Sequence, residues 1–392
     1  MSVMVSPFDA RSDRTSVKFT EFPADVLPMF VAEIDCTLAE PVRDALVHAV
    51  QASDTGYLGS TRELPDAFAD FAERRWGWQL EPDLVRTTTD VSVAIVEVFR
   101  QVTSPGDAVV IMPPVYAPFW DLVLEAGCTP QEVPLLPPST EADLSSTTAD
   151  WAIDLDGVRA AFESGTRTVL LCNPHNPLGL VHSRASLQAL ATLADEFDAV
   201  VVSDEIHGPL VHADAVFTPF LSASDAAARV GVTVTAASKG WNIAGTKCAL
   251  MVGGTGRAAG WFDAMSHEVV ARTSILGYIA SVAAFREGEP WLERLLGELT
   301  ANRRTIAELV PEVLPGAVHR QPQASYLAWL DLRALPWGDD PAGPILDRAR
   351  VALGHGPDFG TQGVGHVRLN FGCSDETLRE AFDRLGTALT PR

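Results

Sequence analysis

Short apolar runs alternate with segments of helical periodicity over roughly the first 280 residues of the chain. Five apolar runs of five residues are rich in β-branched side chains: 108–112, 168–172, 199–203, 232–236 and 248–252. Continuous runs of this length are typical of strands that are buried on both faces of a parallel sheet. Residues 186–197 instead repeat apolar positions at helical spacing, and Ser183 before them can cap a helix. The alternation predicts an α/β fold with a mostly parallel central sheet and helices on both of its faces.

The pattern changes after about residue 280. Pro290 is followed by leucines at helical spacing, which predicts a long amphipathic helix that begins at this proline. The remaining elements predicted in this region are strands at 325–332 and 366–371 and helices at 344–353 and 376–389. Together they predict a smaller α+β C-terminal domain. Residues 136–149 are rich in Pro, Ser and Thr, which predicts a mobile surface loop.

Length and composition limit the classes of function. With 392 residues, of which 47% are hydrophobic and 20% charged, the chain can form two or three domains with a large core. It contains no run of 18 apolar residues and does not begin like a signal peptide, so we expect a cytoplasmic protein without a membrane span. The formal net charge of −22 argues against nucleic acid and anionic membranes as partners, because both are bound through basic surfaces. The five cysteines are odd in number and widely spaced, which indicates neither a disulfide framework nor a metal site.

Lysine is rare in this chain. Of 29 basic residues only three are lysines, namely Lys18, Lys239 and Lys247. Arginine cannot replace lysine where an amine must lose its proton and attack a carbonyl carbon. Lys239 follows the apolar run 232–236, and a lysine at that position either extends to solvent or has a lowered pKa that allows Schiff-base formation. Extension to solvent is the ordinary case, but the rarity of lysine favours a chemical role for Lys239 and Lys247.

Polar residues also follow two other apolar runs. Asp204 comes directly after 199–203, where a carboxylate can face the crevice in which α/β sheets bind ligands or can cap a helix. His207 is either a hydrogen-bonded structural residue or a partner of a ligand oxygen. The loop 173–179 contains two prolines and a glycine, which fix its shape, so that it is a plain turn or presents its Asn side chains to a ligand.

Arg368 lies on a predicted strand near the C-terminus. It shares one strand face with His366 and Asn370, whereas Val367 and Leu369 occupy the other. An arginine at such a position either lies at the surface or binds a carboxylate through two parallel hydrogen bonds.

Five sequence segments occur in the order that is typical of a known family. They are PPVYAPFW at 113–120, NPHNPLG at 173–179, SDEIHGPLV at 203–211, ASKGWNIAG at 237–245 and VRLNFG at 367–372. In this order they resemble the aspartate-aminotransferase superfamily (fold type I), which depends on pyridoxal 5'-phosphate (PLP). Residues 30–35 and the GYLG segment around Tyr57 resemble its cystathionine β-lyase-like C–S lyase subgroup, and the resemblance covers nearly the whole chain.

The resemblance implies roles for individual residues. Lys239 would bind PLP covalently and act as the base at the substrate Cα, and Asp204 would pair with the pyridinium nitrogen. The other cofactor positions would be Ile206 and Tyr116 at the ring faces, Asn176 and His207 near the phenolic oxygen, and Lys247, Val91 and Ser92 at the phosphate. Tyr57 would join the catalytic set by reaching the phosphate of the neighbouring subunit's cofactor, so that a homodimer shares its active sites. Arg368, together with Asn176, would bind the substrate α-carboxylate.

Two departures from the family pattern bear on these roles. The stretch Thr89-Asp90-Val91-Ser92 replaces a glycine-led turn at the phosphate site. The amides of Val91 and Ser92 can still face a phosphate, but an aspartate would repel it, so we expect Asp90 to point away. Gly240 and Trp241 replace a Thr and a Phe beside the lysine, and we expect them to affect the substrate pocket.

The expected activity is β-elimination on L-cystathionine or another cysteine S-conjugate, which gives a thiol, pyruvate and ammonia. The same residues also suit an aminotransferase, a tailoring lyase for a thioether natural product, or a regulator that binds a transcription factor. The presence of both Lys239 and Asp204 favours catalysis over regulation. We expect three parts of the chain: an N-terminal segment at 1–45 that packs with the small domain, a large PLP-binding domain at 46–280 and a small domain at 281–392.

Overall fold

The computed structural model describes residues 2–7, 13–59, 62–138 and 151–389. The strands in these ranges are β1 Leu27–Met29, β2 Val85–Thr88, β3 Ala108–Ile111, β4 Thr129–Glu132, β5 Thr168–Cys172, β6 Val200–Asp204, β7 Gly231–Thr235, β8 Ala249–Gly253, β9 Val318–His319, β10 Leu327–Asp331, β11 Val351–His355 and β12 His366–Asn370. The α-helices are Val17–Thr20, Glu40–Gln51, Glu63–Trp76, Val91–Val102, Pro118–Glu125, Leu155–Glu163, Arg184–Glu196, Asp225–Val230, Ala237–Gly240, Gly256–Ala264, His267–Ala271, Ile275–Glu287, Glu289–Val313, Ala342–Ala349 and Asp375–Leu389. Most of the loop predicted at 136–149 lies outside the described residues.

The larger sheet has seven strands in the order β2-β8-β7-β6-β5-β3-β4. Strands β7, β6, β5, β3 and β4 are mutually parallel, whereas β8 runs antiparallel to both β7 and β2. This topology confirms the predicted α/β fold with a mostly parallel central sheet. All five apolar runs form strands, but the run at 248–252 corresponds to the antiparallel β8. An apolar run indicates burial on both faces and leaves the strand direction open.

Two strands of this sheet were not predicted from the sequence. Strand β2 has the sequence VRTT and strand β4 has the sequence TPQE, and neither contains an apolar run. Both lie at the edges of the sheet, where a strand has one neighbour. Strand β4 has no buried residue, whereas three of the four residues of β2 are buried and two of these are threonines.

The apolar side chains of the parallel strands divide between two cores, one on each face of the sheet. In β5, Val169 and Leu171 pack into one cluster, whereas Leu170 packs into the other. Alternation of this kind follows from the two-residue period of a strand, and it explains why Val169, Leu170 and Leu171 are all apolar although they point to opposite faces.

The smaller sheet joins both ends of the chain. Its order is β1-β11-β12-β10-β9, with β1 parallel to β11 and β12 antiparallel to both β11 and β10. The N-terminal strand β1 therefore lies in the same sheet as strands from the last third of the chain. The division of the chain at residues 45 and 280 remains a prediction.

The predicted helix at 344–353 is wrong at its C-terminal end. The helix Ala342–Ala349 stops where Arg350 adopts a left-handed conformation with φ of 57°. The apolar residues that follow form β11 and pair with β1. They are apolar because the sheet buries them, and the sequence pattern alone assigned them to the helix.

Two helix signals in the sequence are present in the structure. Ser183 Oγ accepts a hydrogen bond from Ser186 N at 3.1 Å and caps the helix Arg184–Glu196. Pro290 lies in the first turn of the helix Glu289–Val313. Within the described ranges, none of the helices is long and apolar enough to cross a membrane.

Trp241 occupies the core between the long helices. Its ring packs edge-on against Phe71 and Phe285, and its Nε1 donates a hydrogen bond to Gly288 O at 3.0 Å. A Cβ at Gly288 would collide with Trp241 Nε1 and lie 2.6 Å from Ala284 O. The large indole is therefore accommodated by the absence of a side chain at position 288.

We expect Gly288→Ala to lower the free energy of unfolding by about 1–3 kcal/mol, because the added methyl group overpacks a filled core. Gly297→Ala is the matched control on the helix Glu289–Val313, since a Cβ there meets nothing within 4 Å. The control should raise stability by up to about 1 kcal/mol through helix propensity. Urea unfolding of both variants measures the difference, and equal effects at the two positions would contradict this account of Trp241.

Candidate active site

The carboxyl ends of β5, β6 and β7 meet at one edge of the larger sheet. Asp204 is the last residue of β6, and the short helix that carries Lys239 begins two residues after β7. Together with Arg368 from β12, these groups line a cavity of about 280 Å³. The same cavity is lined by further positions that the resemblance implies for the cofactor: Val91, Ser92, Tyr116, Asn176, Ile206, His207 and Lys247. Residues far apart in sequence are thus brought together at the sheet edge where α/β proteins bind ligands.

Asp204 is a buried acid with few partners. Its side chain is only 5% exposed, and its Oδ1 accepts a hydrogen bond from Ile206 N at 3.1 Å. Burial raises the pKa of Asp204 to about 7, against the lowering effect of that hydrogen bond and of Lys239. A positive group that enters the cavity would favour the ionised carboxylate and lower this pKa.

The amine of Lys239 is held inside the cavity. Its Nζ donates a hydrogen bond to Ala32 O at 2.7 Å, so the side chain points into the cavity and does not extend to solvent. Burial, with the nearby charge of Arg368, lowers the pKa of Lys239 to about 8. A lysine with such a pKa has a much larger neutral fraction at neutral pH than an exposed lysine, and the neutral amine is the nucleophilic form.

Arg368 is buried at the opposite wall. Its Nη1 donates to Asn176 Oδ1 at 3.1 Å and its Nη2 donates to Phe30 O at 2.9 Å, while the guanidinium lies 4.9 Å from the Phe359 ring centroid. In the described part of the chain, Arg368 Nε has no hydrogen-bond partner. Burial lowers the pKa of Arg368 to about 10, which still leaves the group charged at neutral pH. The strand that carries it is buried on both faces, so Arg368 is not a surface residue.

His207 and Tyr116 supply uncharged polar groups. Burial lowers the pKa of His207 to about 3, with smaller contributions from Lys239 and Arg368, so the imidazole is neutral. Its Nδ1 lies 3.0 Å from Ser325 Oγ. Burial and the charge of Asp204 raise the pKa of Tyr116, which keeps its hydroxyl protonated.

The helix Val91–Val102 begins at one end of the cavity. Asp90 caps it, since Oδ1 accepts a hydrogen bond from Val93 N at 2.9 Å. Its Oδ2 lies 3.0 Å from Lys247 Nζ, and both residues line the cavity, contrary to the expectation that Asp90 turns away. The physical reason is the pairing with Lys247, which allows the carboxylate to remain there. Val91 and Ser92 occupy the first turn, where amides have no intrahelical acceptor.

Tyr57 lies apart from this cavity. Its side chain is 97% exposed and lines a separate cavity of about 660 Å³ with residues of the 268–276 region, including Arg272. Within one chain, Tyr57 is therefore the implied site residue that the structure does not bring to the others.

The segment 30–35, to which the sequence analysis gave a family resemblance but no role in the site, forms one wall of the cavity through Val31 and Ala32. We call it the wall segment. Its carbonyl groups accept hydrogen bonds from Lys239, Arg368, Tyr326 and Asn370. One end of the segment is held by Lys18, whose Nζ lies 2.8 Å from Asp35 in a fully buried ion pair and donates to Glu33 O. The rarity of lysine was the signal that could have found Lys18.

Gly240 and Trp241 do not line the cavity, contrary to the expectation that they affect the substrate pocket. A Cβ at Gly240 would lie 3.1 Å from Pro209 Cβ, and Trp241 is enclosed in the helical core. Both residues instead pack on the side of the Lys239 helix that faces away from the cavity.

The residues of the cavity fit PLP. Asp204 is a buried acid that lacks a close cationic partner in the described chain, as a carboxylate that pairs with a pyridinium nitrogen requires. Lys239 has a lowered pKa, and a helix N-terminus with Lys247 lies at the end where a phosphate group would bind.

Comparisons with known proteins agree with this arrangement. The family model for aminotransferase class I and II matches residues 35–385. A protein of Mycobacterium tuberculosis that is provisionally named as a cystathionine beta-lyase is 43% identical, over 97% of this chain and 96% of its own length. Cystathionine beta-lyase of Corynebacterium glutamicum is 32% identical, over 96% of this chain and 97% of that protein. The crystal structure of a provisionally named PLP-dependent beta-cystathionase from Corynebacterium diphtheriae superposes with a TM-score of 0.92, at 34% identity and with full coverage of both chains.

The family match, the near-complete coverage of these relatives and the chemistry of the cavity lead to the same assignment. The chain belongs to the aminotransferase class I and II family of PLP-dependent enzymes and, within it, to the cystathionine β-lyase-like C–S lyases.

Proposed function

We propose that this enzyme catalyses β-elimination on L-cystathionine or another cysteine S-conjugate and produces a thiol, pyruvate and ammonia. The observation that carries the proposal is one cavity that holds an amine of lowered pKa, a buried acid and a buried arginine: Lys239, Asp204 and Arg368. Relatives that are named for cystathionine cleavage match this chain over nearly its whole length, which supports the same reaction class.

Lys239 would hold PLP covalently, Asp204 would pair with its ring nitrogen, and Lys247 with the amides of Val91 and Ser92 would hold its phosphate. When bound, PLP supplies an electron sink for the charge that develops at the substrate Cα. Tyr116, Ile206, Asn176 and His207 line the same cavity and would fix the position of the ring.

Lys239 is the proposed base for the Cα proton. Burial lowers the pKa of its amine to about 8, which suits a group that must accept and release a proton near neutral pH. Loss of this proton allows the Cβ–S bond to break, and the thiolate leaves with the bonding electrons. Hydrolysis of the remaining three-carbon fragment gives pyruvate and ammonia.

Arg368 is the proposed binding group for the substrate α-carboxylate. Asn176 and the carbonyl of Phe30 each accept one hydrogen bond from its guanidinium and thereby fix its plane. A fixed, buried guanidinium binds a carboxylate through two parallel hydrogen bonds at a small cost in conformational entropy.

We also propose a homodimer with shared active sites. Residues 38–57 present four exposed large apolar or aromatic side chains, namely Leu38, Val47, Val50 and Tyr57. Such a concentration is typical of a surface that another protein covers. A second copy of this chain is the occupant that would also bring Tyr57 to a cofactor cavity.

Borohydride reduction of the PLP-loaded protein should attach the label to the peptide that contains Lys239. Lys239→Ala should lose the label and reduce turnover by about 10³-fold or more, because no other amine replaces its base. PLP uptake should accelerate with rising pH and level off above about 8, because the neutral amine is the reactive form. Lys247→Ala is the control. It removes the second lysine that lines the cavity, which lies at the phosphate end, and this variant should keep the label. Peptide mapping that finds the label at Lys247 would refute the assignment.

Mixing Tyr57→Phe and Lys239→Ala subunits, each nearly inactive alone, should restore activity. In a heterodimer with shared sites, one site carries both lesions and the other carries neither. About one quarter of the unaltered activity is expected after random exchange, because half of the dimers are mixed and each holds one intact site. Native mass spectrometry measures heterodimer formation, and heterodimers without recovered activity would count against sharing.

Pyruvate release from cysteine thioethers should outpace amino transfer to 2-oxoglutarate. A tenfold preference corresponds to about 1.4 kcal/mol between the two barriers, which a good leaving group at Cβ can supply. Parallel assays of pyruvate and glutamate with L-cystathionine, other cysteine thioethers and several amino acids measure the partition. If thioethers are inert while amino groups are transferred efficiently, the enzyme is an aminotransferase.

A further inference from the structure

The phosphate end of the cavity contains an acid as well as a cation. Asp90 Oδ2 lies 3.0 Å from Lys247 Nζ, while Asp90 Oδ1 accepts the hydrogen bond from Val93 N. The two side chains are partly exposed and both line the cavity, so a phosphate that enters this end meets a cation that is already paired.

The attraction of this end for an anion comes from two sources. One is the N-terminus of the 12-residue helix Val91–Val102, with free amides in its first turn and a favourable dipole. The other is Lys247. Asp90 reduces both contributions, because its carboxylate neutralises Lys247 and occupies the Val93 amide.

We propose that Asp90 weakens the binding of the PLP phosphate by competing with it for Lys247 and for the helix N-terminus. The holoenzyme therefore binds its cofactor less tightly than the same cavity would without this acid. The proposal rests on the proposed placement of the phosphate at Val91, Ser92 and Lys247. Asp90 is a residue that sets cofactor affinity and takes no part in the chemical step.

Asp90→Asn separates the charge from the capping function. Asparagine caps helices about as well as aspartate, so the helix Val91–Val102 should keep its start while the cavity loses one negative charge. Removal of a negative charge from the phosphate end of the cavity should tighten PLP binding about tenfold. The affinity for pyridoxal, which lacks the phosphate, should stay unchanged. Titration of the cofactor-free protein, followed by absorbance, measures both dissociation constants.

Asp154→Asn is the matched control. Asp154 caps the helix Leu155–Glu163 by accepting from Gly157 N at 2.9 Å, and it does not line the cofactor cavity. This variant changes the net charge of the protein by the same amount and should alter neither dissociation constant. Thermal unfolding of both variants checks that the caps are retained.

A double-mutant cycle tests the competition for Lys247. Lys247→Ala should weaken PLP binding less in the presence of Asp90 than in the Asp90→Asn background, because the pairing with Asp90 already reduces what Lys247 contributes to phosphate binding. An Asp90→Asn protein that binds PLP equally or more weakly, or that binds PLP and pyridoxal with the same gain, would overturn the proposal. Failure of the unaltered protein to bind either compound would overturn the cofactor site itself, which is a distinguishable result.

Discussion

Three ionisable groups lie around one cavity, and the rest of the site depends on the cost of their removal from water. Burial raises the pKa of Asp204 and lowers the pKa values of Lys239 and Arg368, so that in each case the neutral form is favoured. Such groups are tolerated only where neighbouring dipoles and charges replace lost water. In this protein, most of that replacement comes from main-chain carbonyls and from the amide of Asn176, so that the cations remain available to a ligand.

The wall segment supplies those carbonyls and thereby connects the two ends of the chain. It is held on one side by the buried pair of Lys18 with Asp35 and on the other by Asn370, which donates to the carbonyls of Val31 and Glu33. Strand β1, just before it, pairs with β11 of the smaller sheet. Any displacement of this segment would therefore change the surroundings of Lys239 and Arg368 together.

The departures from the family pattern are explained by the residues that contact them in the folded chain. Trp241 is matched by Gly288, and Gly240 lies against Pro209 on the side that faces away from the cavity. Asp90 is matched by Lys247, which permits a negative charge at the phosphate end. Each replacement has a compensating residue elsewhere in the chain, and the sequence around the lysine gives no indication of it.

Local periodicity and residue chemistry were enough to predict part of the fold and part of the site. Apolar runs located five strands of the larger sheet, Ser183 and Pro290 marked helix starts, and the rarity of lysine singled out Lys239. Other features depend on partners that are distant along the chain, and these became visible only in the folded molecule. The direction of β8, the polar edge strands β2 and β4, and strand β11 follow from neighbouring strands, which local patterns do not encode. Likewise, Lys239 meets Ala32 across 207 residues and Lys247 meets Asp90 across 157, because folding brings these chemical groups to one sheet edge.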